Sequence, residues 1–289
     1  MLRMKTAFQQ LLARHESAVP SAIMRIALVL LLWDRWASDF LLYKADTPLQ
    51  YVLYSSYMVA TPLLLVGLFT QLAAWWTAAT MLGVFYGLGV MGGVESYTHH
   101  HTYLLTTFAV LIPLIPSGRA LSVDRWWAVR KAERTGQPAP PATGDTWAVP
   151  LIGLQLTAMY VWAAYDKFNY AFASGQRLHA IFQWYYGSAD PIAIPGFSGL
   201  MVASAAVTIC GELALATFPW IPKLRLPTLL FGVVFHGMLF MSLPVGPFSA
   251  TVWAMYLAYL PAADVDRWLR RALGAVADDL GATPANAAN

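Results

Sequence analysis

The chain has 289 residues, of which 58% are hydrophobic and 11% are charged. A soluble domain carries about 25% charged residues, so this composition excludes an ordinary soluble protein and favours one that folds in lipid. The net charge of +3 is small and the basic residues lie in short loops between apolar runs, so no nucleic-acid partner is expected. The single cysteine, Cys210, excludes an intramolecular disulfide and a CxxC redox pair.

Apolar stretches recur along the chain, each near the ~20 residues that cross a hydrocarbon core. They cover about 20–42, 51–69, 72–92, 102–116, 147–167, 198–218, 227–243 and 247–263. We therefore predict an all-α fold, a polytopic transmembrane helix bundle with about eight spans. Segment 1–19 is too polar for a signal peptide, so it is predicted to be a cytoplasmic amphipathic N-terminal segment.

Lysines and arginines are distributed unequally between the two sides of this predicted bundle. One side holds Arg3, Lys5, Arg14, Arg119, Arg125, Arg130, Lys131, Arg134, Lys223, Arg225, Arg267, Arg270 and Arg271. The opposite side holds Lys44, Lys167 and Arg177. Because short basic loops stay in the cytoplasm, both termini are predicted to be cytoplasmic. We expect a multi-pass protein of the cytoplasmic membrane of a prokaryote.

Composition also predicts how the chain is divided. A first four-span half covers 20–131 and a second covers 147–264. Between them, residues 132–146 are rich in Pro, Gly and Thr and are predicted to be a flexible cytoplasmic linker. Residues 168–197, within the second half, are amphipathic and are expected at the outer membrane interface. Residues 265–289 are predicted to be a cytoplasmic, largely disordered tail.

Ionisable side chains inside a span are costly unless paired or hydrated, so each is a functional candidate. Here they lie mostly toward the outer ends of the spans: Asp34, Arg35, Glu95, His99, His100, His101, Asp166, Lys167, Glu212 and His236. Structural explanations compete with functional ones. Asp34 and Arg35 can pair at the interface, and Lys167 can extend its amine to the headgroups. His236 can be a hydrogen-bonded core histidine, and Arg119 and Asp124 can cap the fourth span.

No metal site is expected. Three consecutive histidines on a helix cannot all face one ion, because neighbouring side chains are about 100° apart. Histidine pairs spaced by three or four residues, as in membrane di-iron enzymes, are absent from the sequence.

Several segments together resemble the vitamin K-dependent gamma-carboxylase family, also called the horizontally transferred transmembrane domain. They are RIALVLLLWDRW at 25–36, HHTYLLTTFAVLIPLIPSGRALSVD at 100–124, AAYDKFNYAFASG at 163–175, Glu212, and Phe235 with His236. The resemblance covers residues 20–260. In that family a lysine deprotonates a vitamin K hydroquinone, which reacts with oxygen, and the strong base formed allows carbon dioxide to add to a glutamate.

Carried over by position, the resemblance implies Lys167 as the base and His101 as the histidine of an Asn-His-aromatic motif. His236 and Glu212 would join them as catalytic partners. Two positions depart from the pattern: His100 replaces the motif asparagine, and Asn169 replaces a carboxylate after the lysine. Substrate-binding candidates are Asp34, Arg35, His100, Tyr103, Trp162, Asp166 and Asn169.

We therefore expect an integral membrane enzyme that performs acid/base chemistry on a lipid-soluble quinone or isoprenoid near the outer leaflet. A reduced quinone, menaquinol or vitamin K-like, is the expected cofactor, and membrane lipids and a hydrophobic small molecule are the expected partners. The chain ends soon after its last predicted span, which favours such a molecule over a protein substrate. Two alternatives stay open: an isoprenoid cyclase, with Glu212 or Asp34 as the acid, and a non-enzymatic lipid-binding or assembly subunit.

Overall fold

The computed structural model describes residues 13–186, 195–243 and 245–273. Residues 1–12 of the predicted N-terminal segment, 187–194 of the predicted interfacial segment and 274–289 of the predicted tail lie outside these ranges. The helices are α1 Val19–Trp36, α2 Pro48–Val66, α3 Thr70–Leu82, α4 His100–Leu111, α5 Val123–Arg134, α6 Val149–Lys167, α7 Tyr170–Ala173, α8 Gln176–Tyr186, α9 Phe197–Thr217, α10 Pro222–Ser242, α11 Phe248–Met255 and α12 Ala262–Leu273. A π-helix, Gly83–Met91, continues α3.

The prediction of an all-α membrane protein is confirmed. Four helical stretches in the described ranges are long and apolar enough to cross a membrane: Pro48–Val66, Thr70–Met91, Phe197–Trp220 and Pro222–Ser242. The count of eight spans and the orientation stay predictions. Two strands, β1 His15–Ser17 and β2 Thr143–Asp145, form a short antiparallel pair. Part of the segment predicted as a flexible linker is therefore paired with the residues that precede α1.

The chain folds as two compact units. Unit 1 comprises Met1–Ile152 and Gly246–Asn289, and unit 2 comprises Gly153–Val245. Within unit 1, the last apolar helix, α11, packs against α1 and α4. The predicted tail begins within α12, which extends to Leu273. The division into two four-span halves stays a prediction.

Local sequence explains how the helices of unit 1 begin and end. Thr47 and Gln50 form a capping box at the start of α2, in which each side chain binds the other residue's backbone. Gly67 ends α2 with φ +69°, a conformation that favours glycine. The start of α3 is capped from elsewhere in the chain, because Asp124 Oδ1 accepts from the Phe69 amide at 2.9 Å and Oδ2 from the Thr70 amide at 2.7 Å.

In unit 2, α7 and α8 pack on α9 through a small apolar cluster. Phe172 lies beside Ala205 and Ile209, and Leu178 covers them. The turn between α7 and α8 contains Gly175, with φ +78°. A Cβ there would lie 2.8 Å from the Met201 carbonyl carbon and from the Val202 nitrogen. The turn therefore needs glycine for two reasons, its backbone conformation and its closeness to α9.

Gly175→Ala is expected to destabilise the protein by at least about 2 kcal/mol, because the left-handed conformation and the overlap with α9 both carry a cost. The measurement is the thermal unfolding midpoint in detergent. Gly196→Ala is the matched control: Gly196 has φ +83° with open space around its Cβ position, so that variant shows the conformational cost alone. Equal midpoints for the two variants would contradict the close packing of this turn on α9.

Candidate functional site

An ion pair in unit 2 joins two helices whose residues lie far apart in the sequence. Lys167, the last residue of α6, donates from Nζ to Glu212 Oε1 of α9 at 2.9 Å. The Glu212 side chain is 8% exposed and that of Lys167 is 23% exposed. A pair this sheltered from water keeps much of its Coulomb attraction, but both partners also lose hydration. Two of the residues predicted to be catalytic are thus in direct contact.

The surroundings of this pair leave hydrogen-bonding capacity unused. Lys167 Nζ also donates to the Ala163 carbonyl at 3.1 Å and lies 5.8 Å from the centre of the Phe172 ring. An ammonium has three donors, so one has no acceptor among the described residues. Glu212 Oε2 is buried and likewise has no hydrogen-bond partner there. A buried carboxylate oxygen of this kind is a place where a proton or a ligand hydroxyl can be held.

Asp166 and Asn169, which lie close to Lys167 in the sequence, contact residues other than Glu212. Asp166 is exposed, and its carboxylate lies 3.8 Å from Arg177. Asn169 caps α7, because its Oδ1 accepts from the Phe172 amide at 3.0 Å and its Nδ2 donates to the Asp166 carbonyl at 2.8 Å. Capping explains an amide at position 169 without any role in substrate binding.

His236 forms a separate buried pair. Its Nε2 lies 2.7 Å from the hydroxyl of Tyr160, and both side chains are almost inaccessible to solvent. Tyr160 is seven residues before Lys167 on α6. Seven residues return to nearly the same helix face after about 10 Å of rise, so the two pairs follow one stripe of α6. Trp162, on the same helix, is 71% exposed, and its ring contacts that of Tyr165.

His99, His100 and His101, at the start of α4 in unit 1, form a cluster through contacts between their rings. The centre of the half-buried His101 ring lies 5.4 Å from those of His99 and His100. The His100 ring also meets Phe248 at 5.4 Å. Tyr103, later in the first turn of α4, is 47% exposed. Within the described ranges, no group of three His, Cys, Asp or Glu side chains is arranged to hold a metal ion.

Asp34 and Arg35, at the end of α1, do not pair with each other. Arg35 forms an ion pair of 3.6 Å with Asp39, four residues on, and its guanidinium lies over the Trp36 ring. Asp34 is exposed, and its side chain makes no hydrogen bond or ion pair within the described residues. Adjacent helical residues face different directions, whereas residues four apart are neighbours.

The family model of the HTTM domain matches residues 33–263, which is most of the chain. The chain belongs to the HTTM domain family. It is thus an integral membrane protein related to the vitamin K-dependent carboxylase. No curated protein and no solved structure matches it. All of the candidate residues from Asp34 to His236 fall within the matched HTTM domain.

One ionisable residue that the sequence reasoning missed lies just before the matched HTTM domain. Arg25, in the first half of α1, is fully buried. Its Nη1 donates to the Ser117 carbonyl at 2.9 Å and its Nη2 to the Leu121 carbonyl. The rule that an ionisable side chain inside a span marks a site applies to Arg25 as well as to Asp34. Its position inside the first apolar stretch is the sequence signal that identifies it.

Proposed function

We propose that this HTTM protein is a membrane enzyme in which Lys167 acts as the base toward a reduced, lipid-soluble quinone. The observation that carries the proposal is the sheltered Lys167–Glu212 pair, with its 2.9 Å contact and the unpartnered Glu212 Oε2 in the described part of the chain. The position of Lys167 in its motif, within the matched domain, supports the same assignment.

Proton transfer within the pair gives Lys167 its basic form. An ammonium paired with a carboxylate holds its proton, so Lys167 must first pass a proton to Glu212 before it can accept one. In a site sheltered from water, a neutral amine beside a neutral carboxyl group avoids the desolvation penalty of the charged pair. The neutral amine can then take a proton from a quinol hydroxyl. Glu212 Oε2 supplies a second place for a hydroxyl of the same quinol to bind.

The quinol would supply the redox chemistry. One quinol and one dioxygen give one quinone epoxide and one water, so no further oxidant is needed. The chain supplies the base, the acid that holds the displaced proton and apolar surroundings. Addition of carbon dioxide would require a second substrate as its acceptor, and epoxide formation can be measured without one.

The test is conversion of reduced menaquinone by the purified full chain in lipid nanodiscs with dioxygen, followed by mass spectrometry of the extracted quinones. We expect menaquinone epoxide above the level in nanodiscs that contain heat-denatured protein. A rate of epoxide formation equal to that control, with and without added bicarbonate, would overturn the proposal. It would favour a non-enzymatic lipid-binding or assembly subunit.

A second candidate function is cyclisation of a polyprenyl chain, started by protonation. It is favoured by the buried Glu212 carboxyl together with the Phe172 ring that lies near the Lys167 ammonium. A protonated Glu212 would be the acid, and aromatic faces would stabilise carbocations. Incubation with an isoprenoid that lacks a diphosphate, such as an unsaturated polyprenol, separates the two functions: a cyclised product without quinol consumption supports the cyclase.

A further inference from the structure

A cavity of about 340 Å³ lies in unit 1, away from the Lys167–Glu212 pair in sequence and built from other helices. Its walls come from the start of α3, the turn before α5, the first two turns of α5 and the Pro140–Pro141 segment. The residues that matter for its chemistry are Thr70, Gly118, Arg119, Asp124 and Arg125. By the distribution of basic loops, this part of the chain is predicted to be cytoplasmic.

Asp124 is the only carboxylate among the cavity-lining residues, and both of its oxygens already have hydrogen-bond donors. Both oxygens of Asp124 accept hydrogen bonds, from the Phe69 amide and from the amide and hydroxyl of Thr70. Arg25 lies close enough for its charge to be stabilised by Asp124. The start of a helix also favours a negative charge. Asp124 therefore contributes little net negative potential to the cavity.

The two arginines of the cavity lack an acidic partner among the described residues. Neither Arg119 nor Arg125 forms an ion pair with any described carboxylate. Arg125 is 8% exposed; its Nη1 donates to the Pro140 carbonyl, and its Nε has no partner in the described residues. Burial, and then the charge of Arg119, lower the pKa of Arg125. An arginine stays protonated all the same, so a buried charge remains without a counter-ion among those residues.

The helix that carries Arg125 has the composition of a membrane interface. Trp126 and Trp127 are 54% and 47% exposed, and the exposed residues Arg130 and Arg134 follow them. Tryptophan favours the headgroup level, and basic side chains there attract anionic lipid. The cavity mouth is therefore expected at the depth where phosphate groups of lipids lie.

We propose that the cavity between α3 and α5 binds a phosphate group, held by the guanidinium groups of Arg119 and Arg125. Guanidinium groups recognise phosphate through paired, charge-assisted hydrogen bonds. Two sources have this chemistry: the headgroup of an anionic phospholipid and a soluble phosphate compound. The site is independent of the quinol proposal, because it shares no residue with the Lys167–Glu212 pair.

The test is calorimetric titration of the purified full chain in neutral detergent with three probes. Dihexanoyl phosphatidylglycerol represents the lipid, inorganic phosphate represents the soluble anion, and dihexanoylglycerol has no phosphate. Arg119→Gln is the variant, because Arg119 is exposed and its substitution is expected to cost little stability. Arg134→Gln is the matched control, with the same change of charge on an exposed residue of α5 outside the cavity.

We expect saturable binding of phosphatidylglycerol and none of dihexanoylglycerol. Arg119→Gln should raise the dissociation constant about tenfold, the usual effect of losing a charge-assisted hydrogen bond. Arg134→Gln should change it less than about twofold, as expected for a screened surface charge. Arg119→Lys should recover part of the loss. Weak or absent binding of inorganic phosphate assigns the site to lipid, and comparable binding assigns it to soluble phosphates.

Two results would overturn the phosphate site. One is the absence of saturable binding by both phosphate probes. The other is an equal loss of affinity in Arg119→Gln and Arg134→Gln, since that would mean that general basic charge attracts the anion. Thermal midpoints of the unliganded variants, measured in parallel, show that each one is folded.

Discussion

Lys167→Ala is expected to lower the rate of menaquinol epoxidation by at least about 100-fold, the usual contribution of a positioned general base. The substitution removes the amine that faces Glu212 at 2.9 Å and leaves that carboxylate without its cation. The rate is measured from epoxide formed per protein in nanodiscs. Lys44→Ala serves as the control, since Lys44 is exposed and donates only to a backbone carbonyl nearby.

A second substitution, Lys167→Arg, distinguishes a role of Lys167 as a base from a role in a structural ion pair. Lys167→Arg keeps the positive charge beside Glu212, but a guanidinium does not give up its proton under ordinary conditions. If Lys167 is the base, the arginine variant should be as inactive as the alanine variant while its thermal midpoint stays near that of the native protein. Substantial activity in Lys167→Arg would show that Lys167 only positions other groups.

Arg25→Leu is expected to destabilise the protein by about 3–6 kcal/mol, because a hydrogen bond from a charged donor contributes about 1.5–3 kcal/mol and Arg25 makes two. The Ser117 and Leu121 carbonyls would lose their donor, and the charge of Asp124 would lose its nearby cation. The thermal unfolding midpoint in detergent reports the change. Arg25→Lys should fall in between, because a single ammonium matches two separated carbonyls less well than a planar guanidinium does.

Arg130→Leu provides the comparison for Arg25. Arg130 is exposed, and its ion pair with Glu133 at 3.2 Å joins two surface side chains of α5. Pairs of this kind contribute about 0–1 kcal/mol, so the midpoint should change little. A similar loss in both variants would contradict a special role for Arg25. It would also weaken the inference that the charge of Arg25 offsets that of Asp124 beside the proposed phosphate site.

The membrane character of the fold could be predicted because it depends on composition and on the length of apolar runs. The same reasoning identified Lys167 and Glu212 separately, as costly residues in or at the end of a span. Their pairing could not be predicted, because it depends on how α6 packs on α9 over 45 positions of sequence. Packing of this kind is set by tertiary contacts that no local pattern records.

Other features depend on local geometry that the sequence does contain. Arg35, in the last turn of α1, pairs with Asp39 because the turn after the helix keeps residues four apart close together, whereas Asp34 faces another direction. Asn169 precedes a short helix, and asparagine is among the preferred caps. Both could have been predicted from spacing alone. The cap that Asp124 forms on α3 could not, since its partners are 54 and 55 positions earlier.

The short strand pair has a consequence for biosynthesis. His15 and Asp145, which face each other in it, are 130 positions apart. A ribosome adds about 5–20 residues per second, so roughly 6 to 26 seconds separate the synthesis of the two strands. During that interval α1 and the helices up to α5 have been made, yet β1 still lacks the strand it pairs with.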